Sequence, residues 1–477
     1  MDKHELNKNK RTGLLERKEH DYTLRNVSEP ELFRGIYDYD EVPKVVFNDR
    51  KVPMNPAEEW WITDTTFRDG QQSTAPLTVK QITDLFKLQH KLGGKKGLIR
   101  ASEFFLYSDK DKAAVRACQE LGYDFPEITS WIRANEEDFK LVKQMGIKET
   151  GILVSCSDYH IYKKMKLDRQ KALDKYLGII KAALDEGIVP RCHFEDITRA
   201  DFYGFVVRFV VPFAVELMRL AEEYKKPVKI RACDTLGYGV TYPGSAIPRS
   251  VQGIVYGLNY YAGVPSEWLE WHGHNDFYKV VVNATTAWLY GCCSVNCSLL
   301  GIGERTGNCP TEAMCIEYAQ MRGTTNGMDL TAITEIAEYF ENEIGYSIPP
   351  RTPFVGKAFN ATRAGIHADG LLKDEEIYNV FDTQKILGKK PTVSISNTSG
   401  AAGIAYWINA YYSLSGDNAV EKSDPVVKAV KEMVDAEYAA GRNTIMGDDE
   451  LDSMVRIFDK DLHKLFNDRI NKKKLNA

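Results

Sequence analysis

The stretch "WWITDTTFRDGQQ", residues 60–72, introduces a pattern that repeats along most of this sequence. A short apolar run is followed at once by a polar cluster, and the cluster by a long helical pattern. The continuous hydrophobicity within these runs indicates strands of a parallel sheet buried on both faces. Seven further runs follow in order: "LIRASEF", "EITSWI", "GILVSC", "VPRCHF", "VKIRACD", "EWHGH" and "SVNCSLLG".

Eight strand-then-helix units over about 250 residues match the size of a (β/α)8 TIM barrel. A doubly wound open sheet is the competing interpretation, and we favour the barrel. After about residue 325 the alternation ends and helical patterns dominate. The sequence therefore predicts an N-terminal arm over 1–57, a catalytic barrel over 58–325 and a smaller, mainly helical C-terminal subdomain over 326–477.

Composition excludes several classes of function. The 477 residues carry a formal net charge of −5, which does not recommend nucleic acid or an anionic membrane as a partner. No apolar stretch predicts a membrane span, and the charged N-terminus lacks the apolar core of a signal peptide. The nine cysteines form no CxxC pair and are typical of reduced thiols. We therefore expect a cytoplasmic protein.

Polar side chains follow nearly every predicted strand, at the barrel end where such folds carry their chemistry. One such cluster would be unremarkable, but eight in register are hard to obtain by accident. In chain order they include Arg68, Asp69, Gln72, Glu103, Ser130, Ser155, His160, Arg191, His193, Glu195, Thr235, His272, His274 and the "GERTGN" stretch.

The "HGH" pair on the seventh strand predicts a divalent metal site. Period-two geometry puts His272 and His274 on the same face of that strand. Asp69 would supply a carboxylate, because the first and seventh strands lie on the same rim. Two imidazoles and one carboxylate leave positions open for substrate and water, as catalytic sites do. The alternative is that the pair merely caps a strand and bonds to backbone.

Five motifs in the order "DTTFRDGQQ", "FEDITRAD", "DTLGYG", "HGHND" and "GERTGN" resemble the acyl-CoA-condensing branch of the DRE-TIM metallolyases. That branch contains isopropylmalate, homocitrate, citramalate and Re-type citrate synthases, and the resemblance covers about residues 60–410. It implies an acyltransferase that joins acetyl-CoA to a 2-oxo acid by a Claisen condensation. It also implies that Asp69, His272 and His274 bind the cation, with Asn308 completing the shell. Mn2+ is the first candidate, with Co2+, Mg2+ and Zn2+ as alternatives.

The resemblance implies roles for other residues. Arg68 would stabilise the alkoxide that develops on the keto oxygen, and Thr235 would hold a substrate carboxylate. Gln72 and Glu103 are further candidates for substrate binding. A positioned base must remove a methyl proton from acetyl-CoA. The candidates for it are Glu195, His367 and Tyr378.

The C-terminal motifs "GKAFNATRAGIHADGLLK" and "EIYNVFDTQKILG" resemble the subdomain of the condensing enzymes. In that subdomain a histidine and a tyrosine, here His367 and Tyr378, reach into the barrel of the partner subunit. The resemblance therefore implies a homodimer with shared active sites. Acyl-CoA lyases of the same superfamily lack this extension.

The identity of the 2-oxo acid rests on three features. Arg191 stands where homocitrate synthases pair an arginine with the distal carboxylate of the substrate, although a peripheral ion pair is the alternative. The chain after about residue 410 is too short for a leucine-sensing domain. The stretch after the second strand resembles the Re-type citrate synthase subgroup, which uses oxaloacetate, and His193 fits a shorter substrate than the serine of homocitrate synthases. Homocitrate and isopropylmalate synthases follow as alternatives, and a lyase or aldolase on the same barrel belongs to a different class.

Overall fold

Eight parallel strands close into a barrel in the first of two units, Met1–Asp329. The closed order β8-β1-β2-β3-β4-β5-β6-β7 confirms the predicted barrel and excludes the open sheet. All eight strands lie within or across the apolar runs of the sequence. They are β1 Trp61–Asp64, β2 Ile99–Phe104, β3 Glu127–Ile132, β4 Glu149–Ser155, β5 Val189–Glu195, β6 Lys229–Asp234, β7 Leu269–Gly273 and β8 Ser294–Cys297.

Helices surround the barrel and alternate with its strands. α1 begins with a capping box, in which the Thr78 side chain and the Gln81 side chain satisfy each other's backbone N–H groups. Asp168 caps α4 through the backbone N–H of Lys171. The helices are α1 Val79–Gly93, α2 Asp109–Gln119, α3 Phe139–Gln144, α4 Arg169–Asp185, α5 Val210–Tyr224, α6 Val251–Tyr256, α7 Val280–Tyr290 and α8 Thr311–Arg322.

The second unit, Leu330–Ala477, is mainly helical, as the sequence predicts. Its core is built on the buried face of α12, which packs with α13 and α14 around Ile404, Val427 and Val455. Two short strands, Ala361–Thr362 and Thr392–Val393, pair in parallel beside it. The helices are α9 Ala332–Tyr339, α10 Gly365–Lys373, α11 Thr383–Leu387, α12 Ala401–Tyr412, α13 Pro425–Ala439 and α14 Asp448–Phe458.

The computed structural model describes residues 6–8, 15–17, 23–48, 51–133, 135–202, 209–362 and 365–458. The predicted arm over 1–57 is thus described only in part, and the bounds of the three predicted domains stay predictions. Within the described ranges no helix is long and apolar enough to cross a membrane. All nine cysteines are free and buried.

The interior of the barrel is charged, whereas layers of branched aliphatic side chains are usual. Strand register places side chains from alternate strands in layers of four. The lowest of the three layers nearest the C-terminal rim holds Thr63, Thr129, Arg191 and Glu270. The middle layer holds Glu103, Gly151, Arg231 and Asn296. The upper layer, nearest the C-terminal rim, holds Thr65, Trp131, His193 and His272.

Candidate active site at the C-terminal rim of the barrel

Asp69, His272 and His274 converge at the C-terminal end of the barrel. One ligand atom from each residue lies within 4.8 Å of the others, and all three residues are buried. The Nε2 atoms of the two imidazoles face each other at 3.2 Å, with the rings nearly perpendicular at 81°. Nε2 of His274 lies 3.8 Å from a carboxylate oxygen of Asp69. The sequence predicts that these same three residues lie close together.

Hydrogen bonds with neighbouring side chains orient the candidate metal ligands of this cluster. Nδ1 of His272 lies 2.9 Å from Oδ1 of Asn296, which directs the lone pair of Nε2 into the cluster. Asn308 donates from Nδ2 to Asp69 at 2.7 Å. Within the described part of the chain, Nδ1 of His274 and Oδ1 of Asn308 are buried without a hydrogen-bond partner. One carboxylate, two imidazoles and an unpaired amide oxygen form a donor set that fits a divalent cation with open positions.

The protonation states agree with metal binding. Burial opposes the charge on Asp69, but Arg68 and then the two imidazoles outweigh it and lower the pKa of this carboxyl to about 2. Burial lowers the pKa of His272 to about 3 and also lowers the pKa of His274. The cluster therefore presents an ionised carboxylate and two neutral imidazoles at neutral pH, which are the forms that bind metals.

Arg68 stands beside the cluster with its guanidinium held on three sides. Nη1 lies 3.1 Å from Asp69, and Nε lies 3.7 Å from Glu103. The guanidinium carbon lies 4.6 Å from the centroid of the Trp131 ring. This packing fixes a positive charge next to the candidate metal ligands.

Below the cluster, Glu103 joins several cations inside the barrel. Its carboxylate contacts Nη2 of Arg191 at 2.6 Å and Nη1 of Arg231 at 3.1 Å. Burial opposes its ionisation, but Arg231, Arg191 and Arg68 together lower the pKa of Glu103 to about 2. The interior network, as we call it below, comprises Arg68, Asp69, Glu103, Glu149, Arg191, Lys229, Arg231 and Glu270.

Arg191 faces away from the candidate metal cluster. Its Nη1 contacts Glu149 at 2.6 Å while its Nη2 contacts Glu103, so both terminal nitrogens are paired. Together with Glu149 and Glu270 it lines a cavity of about 280 Å³ at the N-terminal end of the barrel. The direct substrate contact that the sequence predicts for Arg191 stays a prediction, and this geometry connects the residue to the upper layers through Glu103.

The His193 ring packs against Gly151 of the neighbouring strand, where a larger residue would not fit. A Cβ atom added to Gly151 would lie 2.6 Å from Nε2 of His193 and 3.1 Å from Glu103. His193 is buried, and its Nε2 lies 3.5 Å from the Glu103 carboxylate. Burial, and then the charges of Arg231 and Arg191, lower the pKa of His193, so its ring is neutral.

Glu195 ends β5 in a cluster of its own. Its carboxylate accepts from the Ser155 hydroxyl, lies 3.1 Å from Nδ1 of His160 and lies 3.7 Å from the Lys164 ammonium. Burial opposes the charge, but His160 and then Ser155 and Lys164 lower the pKa of Glu195 to about 2. Thr235 lies nearby, because its hydroxyl accepts from the backbone N–H of Asp196 at 2.8 Å.

The remaining predicted residues have exposed side chains. Gln72 closes a short turn after β1, and its side chain is exposed. His367 and Tyr378 belong to the second unit, where their ring centroids lie 4.5 Å apart and both side chains are exposed.

Sequence reasoning missed several residues that hold the site together. Arg231, Glu270, Glu149 and Asn296 lie inside strands, before the polar clusters that end them. Period-two alternation from His272 would have put Glu270 on the same inward face. The sequence places His160 after the fourth predicted strand, but it does not predict the contact between His160 and Glu195.

The fold and the site together define a (β/α)8 barrel protein with a candidate metal centre at the C-terminal rim. The family model described as HMGL-like matches residues 60–340, and the chain belongs to this family. Members of the family depend on divalent metals, in agreement with the cluster of Asp69, His272 and His274.

Within the family, the chain is 58% identical over 436 residues to the Citrate (Re)-synthase of Clostridium kluyveri, covering 91% of this chain and 95% of that protein. It is 56% identical over 449 residues to the Citrate (Re)-synthase of Syntrophus aciditrophicus, covering 93% and 71%. A 2-phosphinomethylmalate synthase of Streptomyces hygroscopicus is 36% identical, covering 91% and 97%. Relatives named homocitrate synthase or 2-isopropylmalate synthase are more distant, at 26% to 28% identity.

Proposed function

We propose that this protein is an acyltransferase that condenses acetyl-CoA with oxaloacetate to give citrate and free CoA. The observation that carries the proposal is the convergence of Asp69, His272 and His274 beside Arg68, in a chain more than half identical to two Citrate (Re)-synthases. The lower identity to homocitrate and isopropylmalate synthases supports oxaloacetate over 2-oxoglutarate and 2-oxoisovalerate.

The charge of the interior network supports a dianionic substrate. Its four cationic and four anionic side chains balance one another. A divalent cation on Asp69 would leave two positive charges in excess, which a 2-oxo dicarboxylate would neutralise. A monocarboxylate such as 2-oxoisovalerate would leave one buried charge without a counterion, which is costly at low dielectric.

Asp69, His272, His274 and Asn308 would hold the cation, with Mn2+ as our first candidate and Co2+, Mg2+ and Zn2+ as alternatives. When bound, a divalent cation supplies Lewis-acid chemistry to the keto group of a 2-oxo acid. Arg68 would donate hydrogen bonds to the oxygen on which negative charge develops. Thr235, Gln72 and Glu103 would orient the substrate around that oxygen.

The methyl group of acetyl-CoA must lose a proton before its carbon can form a bond to the keto carbon. Among the three candidates for this base, we favour Glu195, because it is ionised at neutral pH and is oriented by Ser155 and His160. His367 and Tyr378 remain the alternatives. Water then attacks the thioester carbonyl, and the CoA thiol leaves with a proton.

We also propose a homodimer in which His367 and Tyr378 reach the barrel of the partner subunit. Several apolar side chains are exposed beside this aromatic pair, among them Ile366, Ile377 and Val380, the last 99% exposed. An apolar surface of this kind favours association with another protein surface.

Release of free thiol from acetyl-CoA tests the proposal. We expect release with oxaloacetate, weak release with 2-oxoglutarate, and none when the 2-oxo acid is omitted. Treatment with a chelator should abolish the activity, and Mn2+ should restore it. A higher kcat/KM with 2-oxoglutarate would favour homocitrate synthase instead, and cleavage of an acyl-CoA without a 2-oxo acid would favour a lyase.

A further inference from the structure

Arg231 has an unpaired donor in the middle of the barrel. Its side chain is 1% exposed; Nε donates to Glu270, and Nη1 lies 3.1 Å and 3.2 Å from the two oxygens of Glu103. Its Nη2 has no hydrogen-bond partner among the described residues. A buried guanidinium nitrogen left without a partner is destabilising, so its presence indicates a ligand that satisfies it.

Strand register puts Arg231 directly under the candidate site. It belongs to the middle layer, between His272 of the upper layer and Arg191 of the lower layer. Arg191 lines the cavity at the N-terminal end of the barrel, and Arg231 does not. Of these two buried arginines, Arg231 is therefore the nearer to the candidate metal ligands and the one with a free nitrogen.

Glu103 and Glu270 hold the Arg231 side chain in place. Both carboxylates are buried. Glu270 accepts from Nε of the guanidinium, and Glu103 contacts Nη1. The side chain is thus oriented before any ligand arrives, which lowers the entropic cost of binding.

We infer that Arg231 binds the distal carboxylate of the 2-oxo acid and makes the site selective for short 2-oxo dicarboxylates. This inference rests on the proposed function and names the residue that recognises its substrate class. A carboxylate that accepts from Nη2 would satisfy the one unpaired nitrogen of the guanidinium in a buried site, where such a charge-assisted bond is strong. A substrate without that carboxylate would leave Nη2 unpaired.

The test compares oxaloacetate with pyruvate, which differs only by lacking the distal carboxylate. Dissociation constants are measured by calorimetry on the Mn2+-loaded protein, with fresh oxaloacetate because it decarboxylates to pyruvate. In Arg231→Met, we expect the constant for oxaloacetate to rise at least about 100-fold and that for pyruvate to change less than about threefold. Arg231→Lys should give an intermediate loss, because an ammonium keeps the charge without the fork.

Arg116→Met is the matched control, since Arg116 is exposed on α2 and lies outside the interior network. We expect it to leave the ratio of the two constants unchanged. Arg191→Met tests the competing assignment, since it removes a second buried guanidinium one layer lower. The inference is overturned if Arg231→Met weakens both ligands equally, or if Arg191→Met alone removes the discrimination. If Arg231→Met does not fold, the ratio in Arg231→Lys decides in the same way. Thiol release by the wild-type protein tests the proposed reaction separately, so the two failures are distinguishable.

Discussion

Nδ1 of His272 lies 2.9 Å from the side-chain oxygen of Asn296, on the neighbouring strand of the barrel. This contact fixes the ring of His272 with Nδ1 protonated and leaves Nε2 free to bind a cation. Asn296 is itself held by a 2.9 Å hydrogen bond to Thr63. The orientation of a candidate metal ligand is thus set by a residue that does not touch the metal.

Asn296→Ala should lower the affinity for Mn2+ about 10-fold to 100-fold, the usual cost of losing such a supporting group. Titration of the metal-free protein, followed by calorimetry, measures the change. Asn296→Asp keeps an acceptor for Nδ1 and should retain most of the affinity. Equal losses in the two variants would contradict this account, because then the acceptor would not be what matters.

Gly151→Ala should disturb the substrate pocket through His193. The added Cβ would lie 2.6 Å from the imidazole, closer than real contacts allow, and the ring is buried. We expect the KM for oxaloacetate to rise about tenfold. The double variant with His193→Ser should recover part of this loss, since the serine vacates the space. A double-mutant cycle on KM measures the coupling, and additive effects would contradict the steric explanation.

His193→Ser alone should improve the use of 2-oxoglutarate relative to oxaloacetate. His193 is buried, with its Nε2 3.5 Å from the Glu103 carboxylate, so a serine in its place would leave room for one more methylene of a bound 2-oxo acid. The measurement is the ratio of kcat/KM for the two 2-oxo acids. An unchanged ratio would count against His193 as the residue that sets substrate length.

Much of this fold was predictable because its signals are local. Continuous apolar runs predict buried parallel strands, and eight of them separated by helical patterns match the size and order of a (β/α)8 barrel. The cluster of Asp69, His272 and His274 was predictable for the same reason. All three residues follow or end strands, and the C-terminal ends of parallel strands meet at one rim.

The charged interior was not predictable in this way. Whether Arg191 pairs with a substrate or with Glu149 depends on which layer it occupies, and that depends on strand register around the whole barrel. The sequence indicates which residues point inward but not how far each strand is shifted against the next. Arg231 was not among the predicted site residues. It lies within a strand, three residues before the polar cluster of "DTLGYG".

The ionised state of Glu195 should contribute to stability above the ordinary carboxyl pKa. Its pKa falls from 4.5 to about 2 on folding, so the contribution is complete above pH 4.5 and is lost as the pH falls toward 2. The free energy of unfolding of Glu195→Gln should therefore lie below that of the wild-type protein by about 3 kcal/mol at neutral pH. This difference should shrink as the pH falls through that window.

Denaturant unfolding at a series of pH values measures the difference, with the exposed Glu223→Gln as a control that should follow the wild-type curve. Glu195→Gln should also lower kcat about 10²-fold to 10⁴-fold if the carboxylate is the base. A stability difference that is constant from neutral pH down to pH 3 would contradict the ionised assignment. An unchanged kcat would transfer the role of base to His367 or Tyr378.

Mixed dimers test whether active sites are shared between subunits. Asp69→Asn removes a candidate metal ligand from the barrel, and His367→Ala removes an exposed ring of the second unit that packs 4.5 Å from Tyr378. Each variant alone should be nearly inactive. If His367 acts in the barrel of the partner, half of the randomly formed dimers join one chain of each kind, and each has one intact site.

Mixing the two variants under conditions that exchange subunits should therefore restore about a quarter of the wild-type activity. Because the second unit exposes Ile366 and Val380 beside its aromatic pair, we expect sedimentation to give twice the mass of one chain. A matched mixture of Asp69→Asn with His272→Ala should stay inactive, since both changes affect the same barrel. No recovery in the first mixture would place His367 in the site of its own chain or outside any site. Recovery in the control would show that Asp69 and His272 do not act in the same barrel.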